Sequence, residues 1–354
     1  MILETVEEYY QLQYPKCNTT KSFLASWKRV AYPPQIFQIV AFPLQIISFY
    51  AILYETPKSM NSTKHLLINH IASALFDFIF CTLSTTYVIL PMLGFFGVGV
   101  FSWMGIPYSV QLAFIVITAL CVASSYVYLL EGRSHSLLQN KFRIQSTKRR
   151  IIYHFLIFLS NGISLTLFLI NVPSNQKTAK REALTMYPCP TEEFFIFPIY
   201  ILISNTNNLH LVIYVYIPFF ALNTLAHFLF HIWCTVYYLY IAPPKSVSMA
   251  TQLYQRNFLV GTLLQIFTLF SFMTLPVILV AVSLYLNRYS QELMNVAVDC
   301  IALHGIVECI VILSVHKHYR NAMKLMINRW YNQPCNTKVQ SIPVQVTSGY
   351  TSRC

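Results

Sequence analysis

Residues 31–54 read AYPPQIFQIVAFPLQIISFYAILY, 24 positions without one Asp, Glu, Lys or Arg. As a helix rising 1.5 Å per residue, the stretch is about 36 Å long, enough to cross a hydrocarbon layer of roughly 30 Å with some tilt. Residues 78–130, 151–176, 194–244 and 257–287 are free of the same four residue types. The whole chain is 56% hydrophobic and 10% charged over 354 residues, whereas soluble domains are about one-quarter charged. Its mean hydropathy is +0.52. The period-two alternation of a barrel strand is absent, so helices that satisfy their own backbone amides are the spanning elements. The expected fold is an all-α membrane protein.

Residues 78–130 are too many for one crossing, and Pro91, Gly94, Gly97, Gly99, Gly105 and Pro107 punctuate the run near its middle. Helices are expected at 31–54, 66–91, 106–130, 151–172, 209–241, 257–286 and 292–315, a bundle of seven. The apolar segment 194–203 holds ten residues, too few to cross, and reads as an interfacial or re-entrant piece of the loop before the fifth helix rather than an eighth span.

The loops and tail at 55–65, 131–150, 242–256 and 316–354 hold 16 Lys and Arg, against 8 in 1–30, 173–208 and 287–291. The positive-inside bias then puts the amino terminus outside and the carboxyl terminus inside. Lys28 and Arg29, directly before the first span, run against that bias. The formal charge of +12 therefore reads as an orientation signal and not as a nucleic-acid surface. Residues 1–27 are polar and carry Glu4, Glu7, Glu8, Lys16 and Lys21, unlike a cleavable signal peptide. Asn18 and Asn61 both begin glycosylation sequons on opposite sides of the first span. Asn18 is the one expected to carry glycan. The resulting division is an extracellular segment 1–30, a seven-span domain 31–315 and a cytoplasmic tail 316–354.

Cys81, Cys121, Cys234, Cys300 and Cys309 fall in spans as small apolar residues. Cys17 and Cys189 both face the oxidising side, either as a disulfide or as two separate thiols. After the last span, Tyr319, Ala322, Met323, Met326, Ile327 and Trp330 recur at helical spacing opposite Lys317, Arg320, Lys324 and Asn328. That pattern is a short helix on the inner interface, meeting membrane lipids. Cys335 beyond it is a candidate for acylation.

Acids inside spans are costly and need a partner or a wet cavity. Asp77, Asp299 and Glu308 are such acids, and His304 lies one turn from Glu308. His227 and His231 share a helix face without a third metal ligand at diagnostic spacing, so no metal or other cofactor is expected. Glu131 and Arg133 pair an acid with a cation where the third span ends, either as a helix-end charge pair or as a switch element.

Several motifs in order resemble the nematode serpentine receptors of class H, a seven-helix chemoreceptor family. Tyr50-Ala51-Ile52-Leu53-Tyr54-Glu55-Thr56-Pro57-Lys58-Ser59-Met60, followed by Lys64, Leu67, Asn69 and Asp77, resembles the end of its first helix and the start of its second. Glu131-Gly132-Arg133 resembles its Glu-Asn-Arg, and Pro188-Cys189-Pro190 its outer-loop Pro-Cys. Gln255, Phe258 and Gln265 fit the start of its sixth helix. His304-Gly305 and His316-Lys317-His318-Tyr319-Arg320 resemble its closing His-Gly and His-Lys-Pro-Tyr-Arg, with His318 in place of Pro and Glu308-Cys309 where Ser-Thr would stand.

The resemblance implies a G-protein-coupled chemosensory receptor in the plasma membrane of sensory neuron cilia, binding an odorant or other small molecule outside and a heterotrimeric G protein inside. The expected ligand pocket is Tyr87, Tyr108, Gln111, His210, Tyr214, Tyr285, Asn295 and Asp299. Pro276 interrupts the sixth span and suits a kink that swings its inner half. The swing would open a crevice bordered by Arg133, Arg256, Lys317 and Arg320, with Glu131, His304 and Glu308 as further switch residues. A ligand-gated channel or transporter is the alternative class. No internal repeat supports a transporter, and an enzyme is not expected, since HExxH, GxSxG and phosphate-loop motifs are absent.

Overall fold

A computed structural model describes residues 5–17, 22–56, 63–170, 172–203, 210–243, 247–315 and 317–331. The long helices are α1 (Trp27–Tyr54), α2 (Thr63–Phe78, ending in a wide turn Ile79–Ser84), α3 (Tyr108–Ser136) and α4 (Thr147–Ile170). They continue with α5 (Ile217–Val236, flanked by wide turns Val212–Tyr216 and Tyr237–Ile241). Next come α6 (Met249–Leu269, a wide turn Phe270–Thr274, then Leu275–Tyr285) and α7 (Gln291–Val315). Six of these seven are long and apolar enough to cross a membrane by length and composition. The seventh, α4, has 24 residues, about 36 Å, and no Asp, Glu, Lys or Arg after Arg150. The chain is an all-α membrane protein with a small sheet added at one end.

The side chains of α1 show the inverted pattern that lipid imposes. Gln38, Gln45 and Ser48 are buried while Ile39, Phe42, Ile46 and Leu53 are exposed. Apolar atoms gain nothing by hiding from lipid, whereas amides need each other away from it. Pro33, Pro34 and Pro43 stand inside α1 without ending it. α7 packs along α1, α2 along α3, and α3 along α5. The largest apolar cluster runs from Phe80 and Tyr126 through Phe228 and Ala302 to Tyr87, Phe96 and Phe194.

The second helix departs from its expected range of 66–91. It stops at Ser84 because Thr85 takes a left-handed conformation (φ 44°). Thr86, Tyr87, Val88 and Ile89, residues that favour extended chain, form β1 (Thr86–Ile89) against β2 (Gly94–Gly97). A third strand, β3 (Tyr200–Ile201), extends the sheet on β2. The apolar segment before the fifth helix is thus a short helix, Glu193–Ile196, followed by β3, tucked against the bundle.

Other boundaries shift by less. α3 runs to Ser136, so Glu131 and Arg133 lie inside the helix, and α1 starts at Trp27, drawing Lys28 and Arg29 into its first turn. The segment between α4 and α5 also holds a helix, Gln176–Met186, whose N-cap Asn175 accepts from the amides of Lys177 and Thr178. Beyond α7, α8 (Lys317–Tyr331) is the amphipathic helix. Tyr319 and Ala322 are buried, not set into an acyl layer, and Tyr319 shares a 2.8 Å hydrogen bond with Thr56 beyond α1. Asn18, Asn61 and Cys335 lie outside the described residues.

Candidate functional site

Three levels of polar structure run along the bundle. At the sheet end, a disulfide joins Cys17 to Cys189, tying the amino-terminal segment to the chain before α5. Helix Val6–Leu12 carries a Thr5/Glu8 capping box. The Tyr10 and Tyr14 rings each sit 4.8 Å from Phe195, and Tyr9 donates to the Pro188 carbonyl. Burial pushes the Tyr9 phenol above its ordinary pKa and the Lys180 ammonium below its own, with Glu7 partly restoring the latter. Together these segments make a cap over the end of the bundle.

The expected pocket residues separate into two groups. Tyr87 lies on β1 and donates to Ala25 O at 2.6 Å, and Asn295 Nδ2 donates to Leu24 O (2.7 Å) and Ser26 O (3.2 Å). Burial, with Glu193 nearby, raises the Tyr87 phenol far above its usual pKa. Tyr108 donates to Thr86 Oγ1 (3.1 Å), while Gln111 donates to Ile106 O (2.8 Å) and Ser102 and accepts from Ser84. All four are buried and fasten the cap and sheet to α3 and α7. Asp299, beside them on α7, forms an ion pair with Arg29 of α1. His210, Tyr214 and Tyr285 stand apart on exposed flanks of α5 and α6, with ring centroids 5.7 Å (His210–Tyr214) and 6.1 Å (Tyr214–Tyr285) apart.

Midway, Asp77, His304 and Glu308 meet, each at most 2% exposed in its side chain. His304 Nδ1 is 3.6 Å from Asp77 and its Nε2 4.0 Å from Glu308. Tyr126 donates to Glu308 at 3.0 Å, and Gln45 to Asp77 at 3.4 Å. Gly305 is required here, because a Cβ at this position would overlap the Asp77 carboxylate. Asp77 and Asp299 therefore have separate partners. The Asp77 group ties α1, α2, α3 and α7 together where neither water nor lipid could satisfy them.

At the α8 end, Glu131 and Arg133 do not pair. Glu131 is gripped by Arg150 of α4 at 2.9 and 3.2 Å from Nε, with His154 at 3.3 Å. His65 of α2 lies 3.2 Å from the same guanidinium and packs on Gly132, where a Cβ would collide with its ring. Tyr153 bridges His227 and His231, 2.8 Å from each, and Ser134 meets His231 at 2.9 Å. These histidines are structural links, and no metal-holding group of three or more His, Cys, Asp or Glu occurs among the described residues.

Arg133 points the other way, with its guanidinium carbon 3.0 Å from the centroid of Phe258 on α6. It is 8% exposed, and its Nε and one terminal amine have no hydrogen-bond partner among the described residues. It lines a small crevice between α3, α5 and α6, with Ser136, Leu137, Leu239, Tyr254 and Gln255. Arg256 donates to Leu239 O at 3.0 Å, Arg320 donates to Ser314 O at 2.9 Å, and Lys317 opens α8. Pro276 lies two residues beyond the wide turn Phe270–Thr274 of α6.

The comparisons agree with this architecture. A family model described as "Serpentine type 7TM GPCR chemoreceptor Srh" matches residues 25–329, from just before α1 into α8. The chain belongs to the serpentine class H chemoreceptors. It is 28% identical over 328 residues to Serpentine receptor class H-72 of Caenorhabditis elegans, a match covering 90% of this chain and 92% of that one. This serpentine receptor is thus a multi-pass membrane protein of a chemoreceptor family, and the residues expected from its sequence to form sites lie at the two ends and in the middle of one bundle.

Arg29, Arg150, Gln291 and Phe258 were missed as functional partners from the sequence. Arg29 did leave a trace, as a cation on the wrong side of the charge bias. Gln291, which donates to Val88 O at 2.6 Å and accepts from the Leu90 amide at 3.2 Å, left none.

Proposed function

We propose that this chemoreceptor is G-protein-coupled, with the capped end outside the plasma membrane of a sensory cilium and the Arg133 crevice in the cytosol. The observation carrying this reading is the contrast between the two ends. One is sealed by a disulfide, a sheet and a hydrogen-bonded cap; the other has a crevice beside an α6 broken by a wide turn and Pro276. The twofold excess of Lys and Arg in segments at the crevice end supports the orientation. The segments 1–30, 31–315 and 316–354 then face the outside, the bilayer and the cytosol.

An odorant or other small molecule binds the active arrangement more tightly and shifts the population toward it. Contact with Tyr87, Tyr108, Gln111, Asn295 or Asp299 reaches α1, α3 and α7 through the bonds that hold the cap. His210, Tyr214 and Tyr285 offer an aromatic flank between α5 and α6. In the cytosol, Arg133, Arg256, Lys317 and Arg320 border the G-protein site, Glu131 braces it, Pro276 is its hinge, and His304 and Glu308 couple the midsection to it.

The test expresses the receptor with a panel of small molecules and follows second messenger. Ligand-evoked signalling that survives alanine at all eight pocket residues refutes the pocket. Glycan mapping tests the orientation, with sugar expected at Asn18; sugar at Asn61 overturns it and favours a channel with its amino terminus inside.

A further inference from the structure

Backbone carbonyls of the chain's own amino-terminal segment sit on the donors that the sequence marks out for a ligand. We propose that the turn of residues 22–26 is a built-in occupant of the outer pocket. An external molecule binds by displacing it with hydrogen-bond acceptors of its own, such as the oxygens of an ester or lactone. This rests on the reading of Tyr87 and Asn295 as pocket residues and names the chemical class of their ligand.

The turn, built on the short helix Phe23–Ala25, is gripped by its main chain. Leu24 O and Ser26 O accept from Asn295 Nδ2 of α7 at 2.7 and 3.2 Å, and Ala25 O accepts from the Tyr87 hydroxyl of β1 at 2.6 Å. The Phe23 and Leu24 side chains are exposed, so apolar burial adds little to the grip. The donors are fixed in that role. Asn295 Oδ1 accepts from Gln291 Nε2 at 3.1 Å, and Gln291 is itself anchored on the Val88 carbonyl and the Leu90 amide. With its oxygen engaged, the Asn295 amide offers the pocket only N–H groups. Tyr87 and Asn295 are fully buried, so their donors need acceptors at all times, from the turn or from what replaces it. An ammonium group would meet donors there, and Asp299, one turn along α7, is already neutralised by Arg29.

The turn can leave without unseating the bundle. α1 begins directly after it, where the Trp27 amide donates to Glu193 at 3.2 Å and Arg29 pairs with Asp299. The space vacated is that of a few peptide units, which suits a small molecule. A closed turn lowers the apparent affinity of any ligand that must displace it. Weakening the bonds inside the turn therefore tightens binding, whereas removing a pocket donor loosens it. A purely structural segment gives no such opposition of sign.

Full-length receptor in lipid discs is followed by amide exchange in residues 22–27 while δ-octalactone or hexyl acetate is titrated, with octane and octylamine as matched controls. At least one acceptor compound is expected to speed exchange there about fivefold or more at saturation, and neither control to do so. Ser26→Ala removes the Oγ bond to Phe23 O and no helix cap. It is expected to lower the apparent Kd of the displacing compound roughly three- to fivefold, the population change of one net hydrogen bond. Ser26→Thr, which keeps the hydroxyl, is expected to match the unaltered receptor and controls for misfolding. Asn295→Leu is expected to speed exchange without any compound and yet to raise the Kd roughly tenfold. Failure of both acceptor compounds to speed exchange overturns the proposal, as does equal displacement by octane or octylamine, or a Kd raised by Ser26→Ala. Displacement with no second-messenger response leaves the occupant standing and refutes coupling instead.

Discussion

The sharpest prediction concerns which residues around the Glu131-Gly132-Arg133 motif are energetically coupled. Glu131 is 2% and Arg150 20% exposed in their side chains, and they make a forked, charge-assisted contact at 2.9 and 3.2 Å from Nε alone. Two unit charges about 4 Å apart attract by about 4 kcal/mol at an effective dielectric of 20. Desolvation of the acid, and the partial exposure of Arg150 that screens it, reduce this to a net coupling of about 2 kcal/mol. The cycle uses Glu131→Gln, Arg150→Met and the double variant, with unfolding of purified receptor followed by tryptophan fluorescence. Each single change is expected to cost about 2 to 3 kcal/mol, and the double change well short of their sum. The parallel cycle on Glu131 and Arg133 is expected to be additive within about 0.5 kcal/mol, since these groups face apart. Strong coupling of Glu131 to Arg133, with none to Arg150, would refute the assignment of partners.

Three further outcomes follow from the cap and the polar midsection. Tyr87→Phe removes a bond to Ala25 O and leaves that carbonyl unmet; a loss of about 1 to 2 kcal/mol is expected, seen as faster amide exchange in residues 22–27, and unchanged exchange there counts against the cap geometry. Gly305→Ala drives a methyl into the Asp77 carboxylate and is expected to cost about 1 to 3 kcal/mol as overpacking; a neutral result on thermal unfolding would mean the carboxylate lies elsewhere. Cys17 and Cys189 should resist alkylation until reduced, and Cys17→Ser should release a free Cys189, read by mass after labelling; alkylation of both without reductant contradicts the bridge.

Much of this was legible along the chain, and the reason is the solvent. Lipid makes the requirement for uncharged helix local, so the runs at 31–54 and 257–287 announce α1 and α6 without reference to neighbours. The second helix was misjudged for the same reason. Residues 85–91 are as apolar as a span, but Thr85 in a left-handed conformation and the pairing of Thr86–Ile89 with Gly94–Gly97 turn them into sheet, and strand pairing is a non-local event. Glu131 and Arg133 were likewise visible as an acid and a cation at fixed spacing, while their partners depend on how α3 is rotated against α4 and α6.

Sequence alone determined that this chain lives in a bilayer, crosses it with a bundle of long helices and follows the last of them with an amphipathic α8. Those properties are sums over adjacent residues, read against the thickness of hydrocarbon. Only tertiary structure decided that Arg29 neutralises Asp299, that Tyr87 and Asn295 hold the cap, and that Arg133 rests on Phe258 while Glu131 turns to Arg150. The energy of each such pair depends on the distance between groups far apart in the chain, and that distance exists only once the helices have packed.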